Sequence, residues 1–391
     1  MLPRLLSGLL RLHPRSQKVA TRAVAAIDRP SSDLPRFQEL LRAGPIHPQP
    51  DGHSWLVLGY HAVREVLTDP VRFSSRPHAS IDEVLLGASP PRHSRVRRAV
   101  TPILASHATA AVLRDFEEQA ADLVRDRFDL VAGYAVPLTE FLGSRLLGID
   151  RATFGAILSA LSHERTAPGA VRGRAWADLK RSDFCRELIA SPEALLSEAE
   201  AVSVTGLLAM AATETTERLI VRCGVILLQR PKLRATLIGK PDRISPFIEE
   251  VLRLFPPEPT LLRETTGPVT LAGATIPGGA ELRLSVATAN RDPARFSEPE
   301  SLRPGRRKGN HLSFGGGIHQ CIGAGIGRRA AAAALKVLLR RAPDFTSPEP
   351  LESLPLIEVG GRLLPAAVPI CAGTKESPSK PVAQREGSRW R

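Results

Sequence analysis

The chain has 391 residues, of which 43% are hydrophobic, so it can bury a sizeable core in one large domain or in two or three average ones. Its net charge of +13 is compatible with nucleic acid, with anionic lipid or with an acidic protein partner. Nucleic-acid readers interleave aromatic with basic side chains, whereas aromatic residues make up only 4% of this chain. We therefore expect no nucleic-acid partner and favour an acidic protein.

The two ends of the chain differ in composition from its middle. Residues 1–29 are basic, with no acidic residue before Asp28, which is typical of an amphipathic extension or a transit peptide. Their longest apolar run is too short to span a bilayer, so no membrane span is expected. Residues 372–391 are polar and charged, which predicts a disordered tail. The remaining residues, 30–371, are predicted to form one domain.

The spacing of the cysteines indicates the cellular compartment of the protein. The four cysteines lie far apart and form no CxxC motif; they are Cys185, Cys223, Cys321 and Cys371. Such spacing suits a reducing environment, and a cytoplasmic protein is the expectation.

Apolar residues at helical spacing predict a mainly α-helical chain. The predicted helices lie at about 35–43, 61–68, 93–127, 138–147, 151–163, 192–229, 246–254 and 322–341. Strands are predicted in SWLVLG (54–59), PVTLAGATIP (268–277) and AELRLSVATA (280–289). The longest helix is expected to end at Arg230, because Pro231 cannot continue it.

The middle of that long helix, GLLAMAATETTERLI, carries polar residues between apolar ones. Glu214 and Thr215 follow a run of small residues, and the Thr215 hydroxyl can bond the carbonyl four residues back. The surrounding apolar residues predict a buried helix, and a buried acid needs a partner or a function. Small residues beside a hydroxyl leave room for a small ligand.

A shorter helix follows in the segment SPFIEEVLRLFPP. Ser245 is expected to cap it and Pro246 to take its first position. Glu250 and Arg253 are three residues apart, so their side chains lie on one face and within reach of each other.

The segment HLSFGGGIHQCIGAGIGR, residues 311–328, places one cysteine among glycines. Glycines let the backbone come close to a large or flat partner. Three alternatives are a flexible turn, a loop that cradles phosphate, and a zinc site made of His311, His319 and Cys321. The ending that phosphate loops require, G-K-[ST], is absent, and no fourth zinc ligand stands at a usual spacing.

Five motifs in this order resemble the cytochrome P450 family, in its soluble bacterial form, over about residues 30–370. They are PPRHSRVRRAV (90–100), FDLVAGYAVPLTEFLGSRLLGI (128–149), the Glu250-x-x-Arg253 pair, ANRDPARF (289–296) and FGGGIHQCIG (314–323). The resemblance implies a P450 fold, which is a single large helical domain with a small β-rich subdomain. It also implies haem b as the cofactor, with its iron held by the thiolate of Cys321.

Further site residues follow from the resemblance. His93 and Arg97 match a pair that grips a haem carboxylate. Arg263 and His319 match additional contacts of that kind. The loop residues that match the family pattern beside the ligand cysteine are Phe314, Gly315 and Gly323.

The resemblance also assigns the remaining polar motifs. Glu214 and Thr215 match the acid–alcohol pair that delivers protons to dioxygen. Arg306 matches the arginine that completes a structural triad with Glu250 and Arg253.

Three departures from the family pattern stand out. Ala212 occupies a position that is usually glycine, so an added methyl narrows the oxygen groove. The stretch between Ile149 and the long helix, which forms the lid, is shorter than usual, which predicts an open pocket. Leu302 replaces a common aromatic residue, and we expect only a packing change there.

The resemblance implies a haem-thiolate monooxygenase that inserts one atom of dioxygen into an organic substrate. Two alternatives are a peroxygenase or rearrangement enzyme without an electron partner, and an inactive recruitment module. The substrate is expected to be a lipophilic or carrier-tethered metabolite, contacted by 76–90, 160–185, 260–262 and 355–366. Electrons are expected from an acidic ferredoxin with its reductase. We name its predicted docking site the arginine patch; it comprises Arg95, Arg98, Arg328 and Arg329.

Overall fold

A computed structural model describes residues 34–79, 82–164, 172–306, 311–354, 356–359 and 362–373. The predicted extension, residues 1–29, lies outside the described residues, as do residues 374–391 of the predicted tail. The domain boundaries at both ends therefore stay predictions.

Helices make up most of the described residues. They are α1 (Leu34–Ala43), α2 (Tyr60–Thr68), α3 (Arg92–His107), α4 (Ala110–Leu123), α5 (Val136–Leu147), α6 (Arg151–Glu164), α7 (Arg172–Arg181), α8 (Asp183–Ala190), α9 (Glu198–Gln229), α10 (Pro231–Gly239), α11 (Ile244–Leu254), α12 (Val286–Ala289) and α13 (Ala324–Arg341). A mainly helical chain is what the sequence predicts. No helix among the described residues is long and apolar enough to cross a membrane.

Short strands form small sheets beside the helices. They are β1 (Ile46–Pro48), β2 (Ser54–Val57), β3 (Phe73–Ser74), β4 (Arg127–Asp129), β5 (Thr260–Thr265), β6 (Val269–Leu271), β7 (Ala274–Ile276), β8 (Glu281–Ser285), β9 (Leu356–Val359), β10 (Arg362–Pro365) and β11 (Pro369–Cys371). The largest sheet has the order β1-β2-β8-β5-β3, in which only β2 and β8 run parallel. The other pairs are β6 with β7, β9 with β10, and β4 with β11.

Four helices, α4, α5, α9 and α13, form the central bundle. Helix α13 contributes the alanine run 330–334, whose small side chains allow its neighbours to approach closely. The buried Tyr134, just before α5, donates its hydroxyl to the carbonyl of Ala334 at 2.7 Å. A backbone acceptor thereby satisfies a polar group that is fully buried in the main core.

The ends of α9 follow local capping chemistry. Ser197 caps the helix through a capping box with Glu200, so α9 begins at Glu198, about six residues later than predicted. The helix ends at Gln229, and Pro231 opens α10, which confirms the predicted stop. With 32 residues α9 is about 48 Å long and crosses the whole bundle.

Other predicted boundaries were wrong. The helix predicted at 93–127 is two helices, because Thr109 accepts a hydrogen bond from the N–H of Val112 and caps α4. Helix α11 begins at Ile244, so Ser245 lies inside the helix and is not its cap. The strand predicted at 280–289 ends at Ser285, whose hydroxyl caps the short helix α12.

The lid region between α5 and α9 contains three helices, of which only α6 was predicted. Helices α7 and α8 pack directly against α9. Residues 165–171, between α6 and α7, lie outside the described residues. Leu302 packs against the main core as a half-buried residue, in line with the packing change expected there.

Candidate active site

The cysteine loop, residues 314–323, turns tightly before α13. Gly315 and Gly317 have φ angles of +68° and +63°, a left-handed conformation that favours glycine. The N–H of Cys321 donates to the carbonyl of Phe314 at 2.8 Å and closes the loop. Gly323 precedes the first residue of α13, so Cys321 stands just before the N-terminus of that helix.

Part of the glycine run has a structural reason that the sequence did not reveal. A side chain at Gly317 would overlap the carbonyl oxygen of Leu67 in α2. A side chain at Gly316 would also touch Leu67, at 3.4 Å. The loop is therefore braced against α2, and Gly317 is required there whatever the loop binds on its other side.

The thiol of Cys321 is exposed, whereas Cys185 and Cys223 are buried. Desolvation by the surrounding protein raises the pKa of Cys321, and the N–H groups of Gly323 and Ala324 act in the opposite direction. The guanidinium groups of Arg97 and Arg328 also favour its thiolate. Burial raises the pKa of Cys185 and Cys223, which suits inert thiols.

The four predicted carboxylate-binding residues come together beside this loop. The rings of His93, on α3, and His319 lie with their centroids 4.2 Å apart. Arg97 donates to the carbonyl of Gln320 at 2.7 Å, and Arg263 lies buried on β5. Burial and the neighbouring basic residues, including His78, together lower the pKa of His319 to about 3. We refer to the basic cluster, which comprises His78, His93, Arg97, Arg263 and His319.

The basic cluster has no acid to balance it. None of its members forms an ion pair with a carboxylate among the described residues. Both ring nitrogens of His93 are buried and have no hydrogen-bond partner there. Burial lowers the pKa of Arg263 to about 10, and burial with the charge of Arg97 lowers that of His93 to about 4. Buried polar groups are nearly always paired, so the cluster is suited to an anionic ligand.

The middle of α9 presents an open face. Ala211 is exposed, although Ala209 and Thr213 on the same helix are buried. The hydroxyl of Thr215 donates to the carbonyl of Ala211 at 2.9 Å, the bond to the fourth preceding residue that the sequence predicts. Ala212 is half-buried against the main core.

Glu214 has a partner that the sequence analysis missed. Arg218, one turn further along α9, donates to Oε2 of Glu214 at 2.8 Å and lies 3.5 Å from Oε1 of Glu258. The Glu214 side chain is 30% exposed, so the predicted buried acid is only half-buried. The i,i+4 spacing of Glu214 and Arg218 was the signal that could have found this pair.

The predicted triad of Glu250, Arg253 and Arg306, here named the ion triad, forms as expected. Arg253 donates to both carboxylate oxygens of Glu250, at 2.8 and 3.0 Å, and Arg306 lies 3.2 Å from each. Arg253 also binds the carbonyls of Asn290 and Ser301. Burial raises the pKa of Glu250, but these bonds outweigh it and the pKa is lowered.

The arginine patch is less uniform than predicted. Arg98 and Arg329 are exposed, whereas Arg95 and Arg328 are half-buried. Arg328 lies over the ring of Phe314, 4.2 Å from its centroid, and pairs with Glu249 at 2.7 Å. The positive charge of Arg328 is therefore partly neutralised by Glu249 and is less available to a docking partner.

The zinc alternative fails among the described residues, where no group of three or more His, Cys, Asp and Glu side chains could hold a metal ion. His311 lies 3.3 Å from Glu249 and accepts from the N–H of Ser313, while His319 faces His93. His311 and His319 thus face different partners and do not form a metal site with Cys321.

Similarity to known proteins decides the family. The cytochrome P450 family model matches residues 244–349. The cytochrome P450 monooxygenase PikC of Streptomyces venezuelae is 31% identical over 351 residues, an alignment covering 80% of this chain and 84% of the relative. The chain belongs to the cytochrome P450 family.

Two further comparisons agree with this P450 assignment. The mycinamicin IV hydroxylase/epoxidase of Micromonospora griseorubida is 31% identical, over 79% of this P450 and 88% of the relative. The solved structure of CYP109E1 from Bacillus megaterium in complex with testosterone is 24% identical and covers 88% of this P450 and 99% of that chain. Its TM-score of 0.75 shows the shared fold. The predicted fold class is confirmed.

As a member of the family, the protein is a P450 monooxygenase, an oxidoreductase whose cofactor is haem b bound through a cysteine thiolate. The residues present fit that group. Haem carries two carboxylates, and the basic cluster offers buried donors that lack an acid. An exposed thiol stands at a helix N-terminus beside them.

Proposed function

We propose that Cys321 is the thiolate ligand of the haem iron and that His93, Arg97, Arg263 and His319 bind the haem carboxylates. Phe314, Gly315 and Gly323 shape the loop around the thiolate. The observation that carries the proposal is a basic cluster that has no acid among the described residues, two of whose members, His93 and Arg263, are buried, next to the exposed Cys321. Bound haem supplies the iron at which dioxygen is activated for transfer of one oxygen atom to the substrate.

Several of the chain's own groups favour the thiolate form of Cys321 and oppose the effect of desolvation on its pKa. The N–H groups of Gly323 and Ala324 and the positive N-terminus of α13 favour the negative sulfur. Arg328 is held over Phe314 by Glu249, and its charge acts on the same sulfur.

Glu214 and Thr215 deliver protons in this proposal. Because the Thr215 hydroxyl donates to the carbonyl of Ala211, its oxygen is left able to accept a hydrogen bond from a water or a substrate. Arg218 is paired with Oε2 of Glu214, so this oxygen would have to release Arg218 before it could take up and pass on a proton.

The substrate is a lipophilic or carrier-tethered secondary metabolite. The relative that is named as a mycinamicin IV hydroxylase/epoxidase supports this class. Thr260, Leu261 and Leu262, on β5 next to Arg263, are the described residues best placed to contact it, together with residues 76–79 and 82–90. Parts of 160–185 and 355–366 lie outside the described residues.

Electrons come from an acidic ferredoxin that docks on the arginine patch. Arg98 and Arg329 are its exposed members and supply most of the steering charge. The rate of reduction should fall steeply as ionic strength rises, because screening acts within about 8–10 Å. A rate that is indifferent to salt, and unchanged in Arg98→Gln, would refute this docking site.

Ligation is tested by Cys321→Ser against the matched control Cys185→Ser. The reduced carbon monoxide complex of the control should keep the red-shifted Soret band of thiolate ligation, and Cys321→Ser should lose it. If both variants keep the band, the ligand is another residue.

Proton delivery is tested by Thr215→Ala against Thr213→Ala. Both hydroxyls bond a carbonyl four residues back, but Thr213 is buried and faces away from the open side of α9. Product formed per NAD(P)H oxidised should drop about a hundredfold in Thr215→Ala, with peroxide rising in its place. Equal coupling in the two variants would remove Thr215 from the proposed pair.

A further inference from the structure

His78 is a member of the basic cluster that neither the sequence motifs nor the family pattern identified. It ends the short turn Arg76–His78 after β3, and it faces β5. The backbone N–H of Leu262 donates to its Nε2 at 3.3 Å. A backbone N–H can only donate, so Nε2 carries no hydrogen in this geometry. The neutral ring must then carry its hydrogen on Nδ1.

The surroundings of His78 are basic on several sides. Arg263 on β5 faces it, and His319 in the cysteine loop senses its charge. Burial and the charge of Arg263 together lower the pKa of His78 to about 4. The nearest carboxylate on β5, Glu264, is already paired with Arg76 from the same turn as His78. The two residues from α3, His93 and Arg97, complete the charged groups of the cluster.

No acid among the described residues pairs with the half-buried imidazole of His78, so a charged acceptor for it would have to come from a ligand. Its Nδ1–H is the remaining donor once Nε2 is held by Leu262. Its neighbour Arg263 is one of the residues proposed above to bind a haem carboxylate. Two donors of different shape, one ring N–H and one guanidinium, can share the two oxygens of a single carboxylate.

We propose that His78 donates its Nδ1–H to a carboxylate of the bound haem, next to Arg263. The inference rests on the haem-binding residues proposed above and adds a fifth one to them. The hydrogen bond from Leu262 makes His78 a preoriented donor, because it fixes both the tautomer and the direction of the ring.

The test uses the haem-loaded enzyme and two substitutions of His78. His78→Gln keeps an acceptor for the N–H of Leu262 and an N–H donor for the carboxylate, whereas His78→Phe keeps neither. Haem transfer to excess apomyoglobin should be about tenfold faster in His78→Phe, which corresponds to about 1.4 kcal/mol, and close to the unsubstituted rate in His78→Gln. The haem carboxylate bending mode in resonance Raman spectra should shift in His78→Phe and return in His78→Gln.

The control is His107→Phe. His107 is also largely buried and makes two hydrogen bonds, to the carbonyl of Leu146 and to Glu187, away from the basic cluster. His107→Phe should lower thermal stability without shifting the haem carboxylate mode. A shift of that mode in His78→Phe therefore cannot be explained by loss of stability alone. A carboxylate mode that His78→Phe leaves in place overturns the inference.

A parallel Arg263→Met variant separates this inference from the proposed function. If Arg263→Met moves the carboxylate mode and His78→Phe does not, only the role of His78 is wrong. If neither variant moves the mode or the rate of haem transfer, the proposed carboxylate site is wrong, and the role of His78 is wrong with it.

Discussion

The ion triad and the basic cluster both contain buried basic side chains, yet only one has all of its partners. In the ion triad Glu250 is bound by two arginines, and Arg253 also finds carbonyl partners. In the basic cluster the nitrogens of His93 have no partner, and Arg263 has no carboxylate among the described residues. Burial is costly for any charge that is not paired.

This difference distinguishes a cluster that stabilises the fold from a cluster that is suited to binding a ligand. A satisfied network holds the chain together whether or not a ligand is present. An unsatisfied one destabilises the protein without its ligand and gains stability when the ligand arrives, because binding then supplies the missing charge. Substitutions in the two clusters should therefore act on different states of the protein.

The largest effect is expected for Glu250→Gln. The substitution keeps the shape of the side chain but leaves Arg253 and Arg306 without their acid, which costs about 3–5 kcal/mol for a buried pair. Urea unfolding should show this loss equally with and without haem. A loss that is confined to the haem-bound form would mean that the ion triad belongs to the binding site.

Arg263→Met should raise the stability of the haem-free protein but weaken the binding of haem. Without haem the variant removes a buried unpaired cation, so the free energy of unfolding should rise by about 1–3 kcal/mol. With haem it removes a charged donor, so haem affinity should fall about tenfold or more. Urea midpoints and haem-transfer rates measure the two effects, and a loss of stability in both states would contradict the comparison.

The pH dependence of stability should also differ between the states. Folding lowers the pKa of His78 and His93 from 6.5 to about 4, so the unfolded chain binds more protons in that range. The haem-free protein should therefore lose stability as the pH falls from 6.5 towards 4, by about 1 kcal/mol or more. A haem carboxylate would favour the protonated ring of His93, whose two nitrogens have no partner among the described residues, so the loss between pH 7 and pH 5 should be smaller in the haem-bound protein. Equal slopes in urea titrations of the two forms would speak against carboxylate contacts.

The smallest effect on stability is expected for a carboxylate–arginine pair that lies at the surface. Arg145 and Asp115 lie 2.8 Å apart with side chains 48% and 43% exposed. Water and salt screen this pair, so Asp115→Asn should change the free energy of unfolding by less than about 0.5 kcal/mol. A change as large as that of Glu250→Gln would show that burial is not what distinguishes the ion triad.

Sequence patterns predicted the parts of the fold that depend on local order. The end of α9 follows from Pro231, and most helices follow from apolar periodicity. The break between α3 and α4 was missed because Thr109 looks like any helical threonine until its cap bond is seen. The short strand β3 escaped because its partner, β5, lies far away along the chain.

The candidate site divides in the same way. Residues within one continuous motif, such as Phe314 and Cys321, were predicted as site residues from the sequence, and their roles stay predictions. His78 was not, because its hydrogen bond reaches Leu262 across 184 positions of the chain. The pairing of Arg218 with Glu214 could have been expected from their i,i+4 spacing. That spacing alone does not distinguish an ion pair in a functional site from an ordinary pair at the surface.

The contact between Gly317 and α2 has a consequence for the stretch of chain that follows that helix. Leu67 touches the cysteine loop, and eleven positions later His78 touches β5 beside Arg263. One continuous segment, residues 67–78, thus contacts the cysteine loop at one end and β5 beside Arg263 at the other. An insertion or deletion within this segment would change the spacing between the loop and β5, and should therefore weaken haem binding at the proposed site.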